Sequence, residues 1–268
     1  MANDGWRSPM RAWVWDRCLL LQAGTLVVDR RRRPYRRLSA TVIVAGRRSF
    51  LLEVQGETAR EYRGVLVAPN VERNYIEAVD ADLTILDAGI TTAAFQQLEP
   101  FLARGGLRSL TDEELDRIRP DVVAAFGVAL GCDEAIQLFA DVVRTIAPPR
   151  APAAPRDPRV ARVMALVEER PFDALSVSAL AHDVGISESR LRDLVRKELG
   201  CRLSQYMRWV AAWKAVGLWQ EGTRFTDVAH AVGFHDLAHA DHAFTEIFGL
   251  SPSQVTDSRW MTLHKCGP

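Results

Sequence analysis

Ala179-Leu180-Ala181-His182-Asp183-Val184-Gly185-Ile186-Ser187 and, 48 residues further on, Asp227-Val228-Ala229-His230-Ala231-Val232-Gly233-Phe234-His235 are two versions of one pattern. Both contain Ala-His-x-Val-Gly, and together they decide how Leu175 to Pro252 folds. Each is followed by an apolar-periodic segment of about three turns, Glu188 to Leu199 and Asp236 to Phe248, which closes on Gly200 or Gly249. The pattern is helix, glycine turn, helix, twice over. Two short helices that cross steeply need a small residue where their backbones approach, and Ala181 and Ala229 supply it. The turn four positions later needs positive φ, which suits Gly185 and Gly233. Ile186 or Phe234 then plugs the angle between the helices.

Around this core the chain is helical. Arg159 to Glu169 forms a helix that Pro171-Phe172-Asp173 breaks, and a connecting helix from Leu203 to about Gln220 joins the two units. The second unit stops at Leu250-Ser251-Pro252. At 1.5 Å per residue the connecting helix spans about 27 Å. That length suits two recognition helices set near one turn of B-DNA apart, about 34 Å.

Toward the N-terminus, Ala147 to Pro158 contains five prolines. Such a stretch cannot be helical and reads as an extended, semi-rigid spacer between domains. Before it, from Cys18 to about Ile90, the period is that of strands. Leu19–Gln22, Thr25–Val28, Ala40–Val44, Phe50–Val54, Val65–Ala68 and Leu83–Leu86 are short apolar runs punctuated by glycines and Pro69-Asn70. A small antiparallel barrel or sandwich is expected. Thr91–Ala103, Thr111–Arg119, a helix opening at Pro120-Asp121 and running through Leu130, and Asp133–Ala147 follow as helices. The last carries a broad apolar stripe from Ala135 to Ile146, which the barrel or the same helix of a second chain must cover.

Composition bounds the function. The chain has 268 residues, 48% of them hydrophobic and 25% charged, the profile of a folded protein of about two domains. Its 34 Lys and Arg offset 34 Asp and Glu, so any basic face must be local. The densest positive run is Arg30-Arg31-Arg32-Arg33-Pro34-Tyr35-Arg36-Arg37. It is either a contact to phosphate, an anionic effector or an acidic partner, or a solvated hairpin tip bent at Pro34, the usual fate of a charge run. Cys18, Cys132, Cys201 and Cys266 are far apart and read as free thiols in a reducing cytoplasm. No run reaches membrane-spanning length and the start lacks a signal-peptide core, so no membrane partner is expected.

Gly64-Val65-Leu66-Val67-Ala68-Pro69-Asn70-Val71 resembles the turn-strand-proline signature of cupin-like domains. All six histidines lie at or beyond His182, so the barrel has no imidazole for a metal, and no metal or cofactor is expected there. Where a histidine often follows the proline, this chain has Arg73, which either pairs with an anionic effector or is solvated beside Glu72.

Leu175 to Val255 resembles the DNA-binding domain of AraC-type (AraC/XylS) transcription regulators, and the whole chain is similar to their arrangement. The likeness rests on Leu180-Ala181, Val184-Gly185-Ile186-Ser187, Leu191, Leu199-Gly200, Tyr206, Gly233-Phe234, His239, Ala243-Phe244, Phe248-Gly249 and Ser251-Pro252-Ser253. It implies an α+β chain: a cupin-like sensor at 1–104, a helical dimerisation region at 105–147, a linker at 148–158, a double helix-turn-helix domain at 159–256 and a tail at 257–268. The implied function is sequence-specific control of transcription, with double-stranded promoter DNA as partner, a small effector in the N-terminal domain, a homodimer, RNA polymerase as a further partner, and a cytoplasmic, nucleoid-associated location.

On the first recognition helix the periodicity turns Leu191, Leu194 and Val195 inward. It leaves Ser187, Glu188, Ser189, Arg190, Arg192, Asp193, Arg196 and Lys197 for DNA. The second helix, Asp236 to Phe248, has no Lys or Arg. Its inward residues are expected to be Leu237, Ala240, Phe244, Ile247 and Phe248, and its DNA side His235, Asp236, Ala238, His239 and His242. Where the family usually has an aromatic, an arginine and a basic residue, this chain has Ala240, His242 and Thr245, and Ala211 replaces an arginine of the connecting helix. The second unit is therefore expected to hold the DNA backbone weakly. A metal at His235, His239 and His242, or a pH switch there, stands against a plain solvated face.

A regulator-like protein that acts through protein contacts, as co-regulator or antagonist, is the alternative. It draws on the neutrality of residues 151–268, with 11 Arg and 3 Lys against 14 Asp and Glu. An enzyme is the most distant reading, since the sequence shows no catalytic constellation.

Overall fold

Strands form where β-branched and apolar residues run in short stretches between turns, and helices where the period lengthens. The computed structural model describes residues 9–28, 34–104, 106–149 and 156–267. Arg30–Arg33 and linker residues 150–155 lie outside them. The chain separates into one unit of residues 1–152 with 254–268, and a second of residues 153–253.

The first unit is built on β1 (Met10–Trp15), β2 (Cys18–Ala23), β3 (Leu26–Val28), β4 (Tyr35–Arg36), β5 (Ser39–Ala45), β6 (Phe50–Val54), β7 (Arg60–Tyr62), β8 (Gly64–Val67), β9 (Glu72–Ala78) and β10 (Leu83–Gly89). Next come α1 (Ala93–Leu98), β11 (Leu107–Ser109), α2 (Asp112–Phe126) and α3 (Cys132–Ile146). A seven-stranded sheet runs β11-β8-β5-β10-β2-β1-β12, where β12 is Met261–Lys265. A second sheet runs β3-β9-β6-β7 with β4 beside β9. Among the described residues the hydrogen-bonded ladders form two sheets.

One face of the larger sheet packs against helices. At its Gly64 a side-chain carbon would sit 2.6 Å from the tip of Leu115 of α2, so strand and helix approach closely there. Arg11 of β1 donates to the carbonyls of Phe126 and Val128 at 3.0 and 2.6 Å, closing the end of α2. The opposite face meets the second sheet, where Arg73 of β9 donates to Thr41 of β5.

Three expectations change here. Thr111–Arg119 and the helix opening at Pro120 are one helix, α2. Its apolar face, Leu115, Ile118, Val122 and Ala125, continues across the proline. Pro120 and Asp116 are exposed, so water can serve the carbonyl that loses its partner. The apolar stripe of α3 is covered by its own chain: Leu138, Phe139, Val142, Val143 and Ile146 are all buried, and Phe139 meets Trp15 edge-on at 5.1 Å. That stripe supplies no argument for a second chain.

The third change concerns the cysteines. Cys132 and Cys266 form a disulfide with Cα atoms 5.3 Å apart, while Cys18 and Cys201 are free and buried. Residues 261–265, expected as part of a tail, pair parallel with β1 from Met10↔Met261 to Val14↔Lys265 and bring Cys266 to the start of α3.

The second unit holds α4 (Pro158–Glu169), α5 (Val177–Asp183), α6 (Glu188–Leu199), α7 (Leu203–Leu218), α8 (Phe225–Ala231) and α9 (Leu237–Phe248), and α10 (Pro252–Val255) follows. Asp157 caps α4, with Pro158 in its first turn. An aromatic series from α7 to α9 forms its spine: Trp209 and Trp213 at 6.4 Å, Trp213 and Phe248 at 5.4 Å, Phe248 and Phe244 at 5.2 Å. Lys214 of α7 donates to the carbonyls of Val167 and Arg170 at 2.9 and 2.8 Å, satisfying the end of α4.

Candidate nucleic-acid interface

Both helix-turn-helix units have the predicted joint. Gly185 and Gly233 take φ of +67° and +90°, and Ala181 and Ala229 are buried at the crossings. Ile186 donates back to the Ala181 carbonyl at 3.1 Å and Phe234 to that of Ala229 at 2.9 Å, so each apolar plug also closes the turn. The second joint is the tighter one. Phe172 donates to the Val232 carbonyl at 2.9 Å and its ring lies 5.3 Å from Phe234, which seats residues 172–174 against Gly233.

Ser187 caps α6, accepting from the Arg190 N–H at 3.3 Å, and Gly200 ends it in the left-handed region. Leu191, Leu194, Val195 and Leu199 are buried. Ser187, Ser189, Arg190, Arg192, Asp193, Arg196 and Lys197 are exposed, and Glu188 is half-buried. Arg192 donates to Glu188 one turn earlier at 2.7 Å. This exposed pair is weak, so a phosphate or guanine can take the guanidinium from Glu188 at small cost.

Asp236 caps α9, accepting from the His239 N–H at 2.7 Å. That bond, and then the His235 ring, hold its carboxyl below the usual carboxylate range. His235, Asp236, Ala238, His239 and His242 are all exposed, while Ala240, Ala243, Phe244 and Ile247 are buried. Leu237 is a correction: it was expected inside and is 44% exposed, at the first helical position directly after the cap. Phe248, also expected inside, is half-buried.

The carboxylate of Glu246 on α9 is paired with a residue that the sequence did not single out. Arg208 of α7 reaches Glu246 at 3.3 Å. The two lie on different helices, and only the fold brings them together. The three histidines do not converge, and among the described residues no group of three His, Cys, Asp or Glu side chains could hold a metal ion.

In the first unit Arg73 is 3% exposed rather than solvated beside Glu72. Its neighbour in the interior is Arg37, also buried, which pairs with Asp87; Ser39 and Thr41 donate to the same carboxylate. Both guanidiniums lie over the Tyr35 ring, at 5.7 Å for Arg37 and 5.6 Å for Arg73. Burial, and then repulsion from Arg73, pull Arg37 down to about 10. The run Arg30–Arg37 is thus not all solvated tip. Arg36 is exposed and bonds Glu72, while Arg37 turns into the core. No periodicity in the sequence distinguishes those two arginines.

Comparison with known proteins agrees with this geometry. Residues 180–258 match a family described as a helix-turn-helix domain. No curated protein matches the chain in sequence. An apo variant of ToxT from Vibrio cholerae is similar in structure, with TM-score 0.55 and 11% identity over 88% of this chain and 98% of that one. ToxT from Vibrio cholerae O395 has TM-score 0.53 and 10% identity over 95% and 98%. Wild-type Vibrio cholerae ToxT with an unsaturated fatty acid bound gives 0.53 and 10% over 89% and 94%. These likenesses show a common fold across both units. With a helix-turn-helix domain at residues 180–258, this chain is a DNA-binding transcription regulator.

Proposed function

We propose that the chain reads promoter DNA chiefly through α6, with α9 as a weaker second contact, under control of a small anionic effector in the first unit. The observation that carries the DNA reading is the exposed face of α6. It sets Arg190, Arg192, Arg196 and Lys197 on one side of a capped helix whose other side is buried. Arginine there makes paired hydrogen bonds to guanine or holds phosphate, and Ser187, Glu188, Ser189 and Asp193 fix register around it. On α9, His235, Asp236, Ala238, His239 and His242 offer polar and small contacts without fixed positive charge, and exposed Leu237 offers an apolar one. RNA polymerase contact, homodimerisation and a cytoplasmic, nucleoid-associated location follow from the resemblance to AraC-type regulators.

The test is an electrophoretic shift series with promoter DNA at low and moderate salt. Replacing Arg192 and Arg196 together by Ala is expected to weaken binding at least ~30-fold, at about 1–3 kcal/mol for each paired base contact. The dependence on salt should become shallower as well. Equal affinity of variant and wild type would refute readout by α6. Absence of any shift at low salt would favour the protein-contact alternative, which the formal neutrality of residues 151–268 supports.

For the effector, the supporting feature is Arg73, buried in the first unit's interior, whose Nε has no hydrogen-bond partner among the described residues. A carboxylate would supply an acceptor, and ToxT, which shares the fold, is known with a fatty acid bound. A panel of carboxylates is expected to raise the melting temperature of the wild type by several degrees and to leave Arg73→Met unmoved. A shift of the same size in the variant would remove Arg73 from the site.

A further inference from the structure

The C-terminal strand is held on the sensor sheet by a ladder and by one covalent bond. Five residues, Met261 to Lys265, pair with β1, extended by Met10 N–H to the Trp260 carbonyl and Cys266 N–H to the Val14 carbonyl, both 2.8 Å. The His264 ring stacks on Trp13 at 5.2 Å. Apolar anchorage is thin: of the strand itself only Met261 is buried, and Cys266 just beyond it is the other buried side chain. A short edge strand with so few buried contacts belongs to the low-stability end of a fold, and opens locally unless something else ties it down. Here that tie is the disulfide to Cys132.

The placement of the two sulfurs suits exchange. Cys132 is half-buried and is the first residue of α3, a helix of 15 residues capped by Gly131. Cys18 and Cys201 are different in kind, buried inside the two units, with thiols pushed up to about 12 by burial. They are poor nucleophiles that do not compete for the bond.

We infer that Cys132 and Cys266 form a redox-operated clasp: closed, it keeps residues 261–266 on β1, so that the DNA-binding unit is tied to the sensor unit at both ends, and opened, it leaves that unit on the linker alone. Opening requires a dithiol reductant. Its thiolate attacks Cys132 Sγ, forming a mixed disulfide while Cys266 leaves as thiolate and takes a proton. The reductant's second thiol then displaces Cys132, which leaves as thiolate and is protonated in turn. Two electrons and two protons pass from the dithiol, which ends as a cyclic disulfide. A disulfide oxidant reverses the sequence.

The experiment uses the full-length chain, oxidised with diamide or reduced with dithiothreitol, and reads amide hydrogen exchange together with native alkylation by N-ethylmaleimide. Alkylation is expected to add no label to the oxidised chain and two to the reduced one, at Cys132 and Cys266. On reduction, protection of residues 261–266 should fall at least ~10-fold while residues 83–88 of β10 keep theirs. Cys266→Ser should behave as the reduced form under both conditions. Equal protection of 261–266 in the two states overturns the clasp, as does labelling of Cys132 and Cys266 after diamide. These readouts involve no DNA, so a failure of the proposed DNA contacts leaves them unaffected.

Discussion

Asp87→Ala is expected to lower the stability of the first unit by about 3–5 kcal/mol, the range for removing one partner of a buried ion pair. Asp87 sits on β10 opposite Thr41 of β5, 3% exposed, and takes Arg37 together with the hydroxyls of Ser39 and Thr41. Without it, Arg37 loses the carboxylate it pairs with, and two hydroxyls lose their acceptor. Burial already pulls Arg37 down to about 10. The double replacement Arg37→Met with Asp87→Leu should recover most of the loss, because the pair is removed rather than broken. Urea unfolding followed by amide exchange in β5 and β10 checks both. A loss under 1 kcal/mol for Asp87→Ala would mean that water or a rearranged side chain neutralises the site.

Gly233→Ala should be the most damaging single change in the second unit, and Gly185→Ala at the equivalent joint should be mild. Both glycines have positive φ, so either alanine carries the left-handed backbone cost of about 1–2 kcal/mol. They differ in what a side chain would meet. At Gly185 nothing lies within 4 Å. At Gly233 a methyl group would stand 2.7 Å from Phe172 N and 2.8 Å from Asp173 N, backbone atoms that cannot swing aside. Relieving the contact breaks the Phe172 N–H bond to Val232 and unseats Phe172 from Phe234 and His239. A total of about 3–5 kcal/mol follows, at the upper end of single substitutions. Thermal denaturation of the two variants side by side is the check. Equal melting temperatures would show that residues 172–174 are not held against the joint.

Much of the second unit was legible because its determinants are local. A glycine at a turn and an alanine at a crossing each act within a few residues, and so Gly185, Gly233, Ala181 and Ala229 could be read directly. The buried side of α6 followed from the period alone. The first unit was less legible because its decisive contacts are distant in sequence. Cys132 and Cys266 share no local motif, and four scattered cysteines read as free thiols. Met261-Thr262-Leu263-His264-Lys265 does alternate apolar and polar residues, a signal for a strand that its place after the helical domain obscured. Arg37 and Arg73 resemble surface arginines in sequence, and only the facing of two sheets makes them interior. Pro120 misled in the opposite direction: the local rule against proline in a helix yielded to an apolar face that runs straight through it.

The return of β12 to β1 also orders events on the ribosome. β1 emerges early, yet the backbone groups along one of its edges, from Met10 to Val14, find their partners only when residues 261–265 have been made. Throughout synthesis of the intervening chain that edge is open to any extended peptide, including the same edge of another nascent chain. Residues 153–253 are therefore translated before the first unit's sheet is complete. A polypeptide released before residue 261 is expected to expose that edge and to aggregate more readily than the full chain.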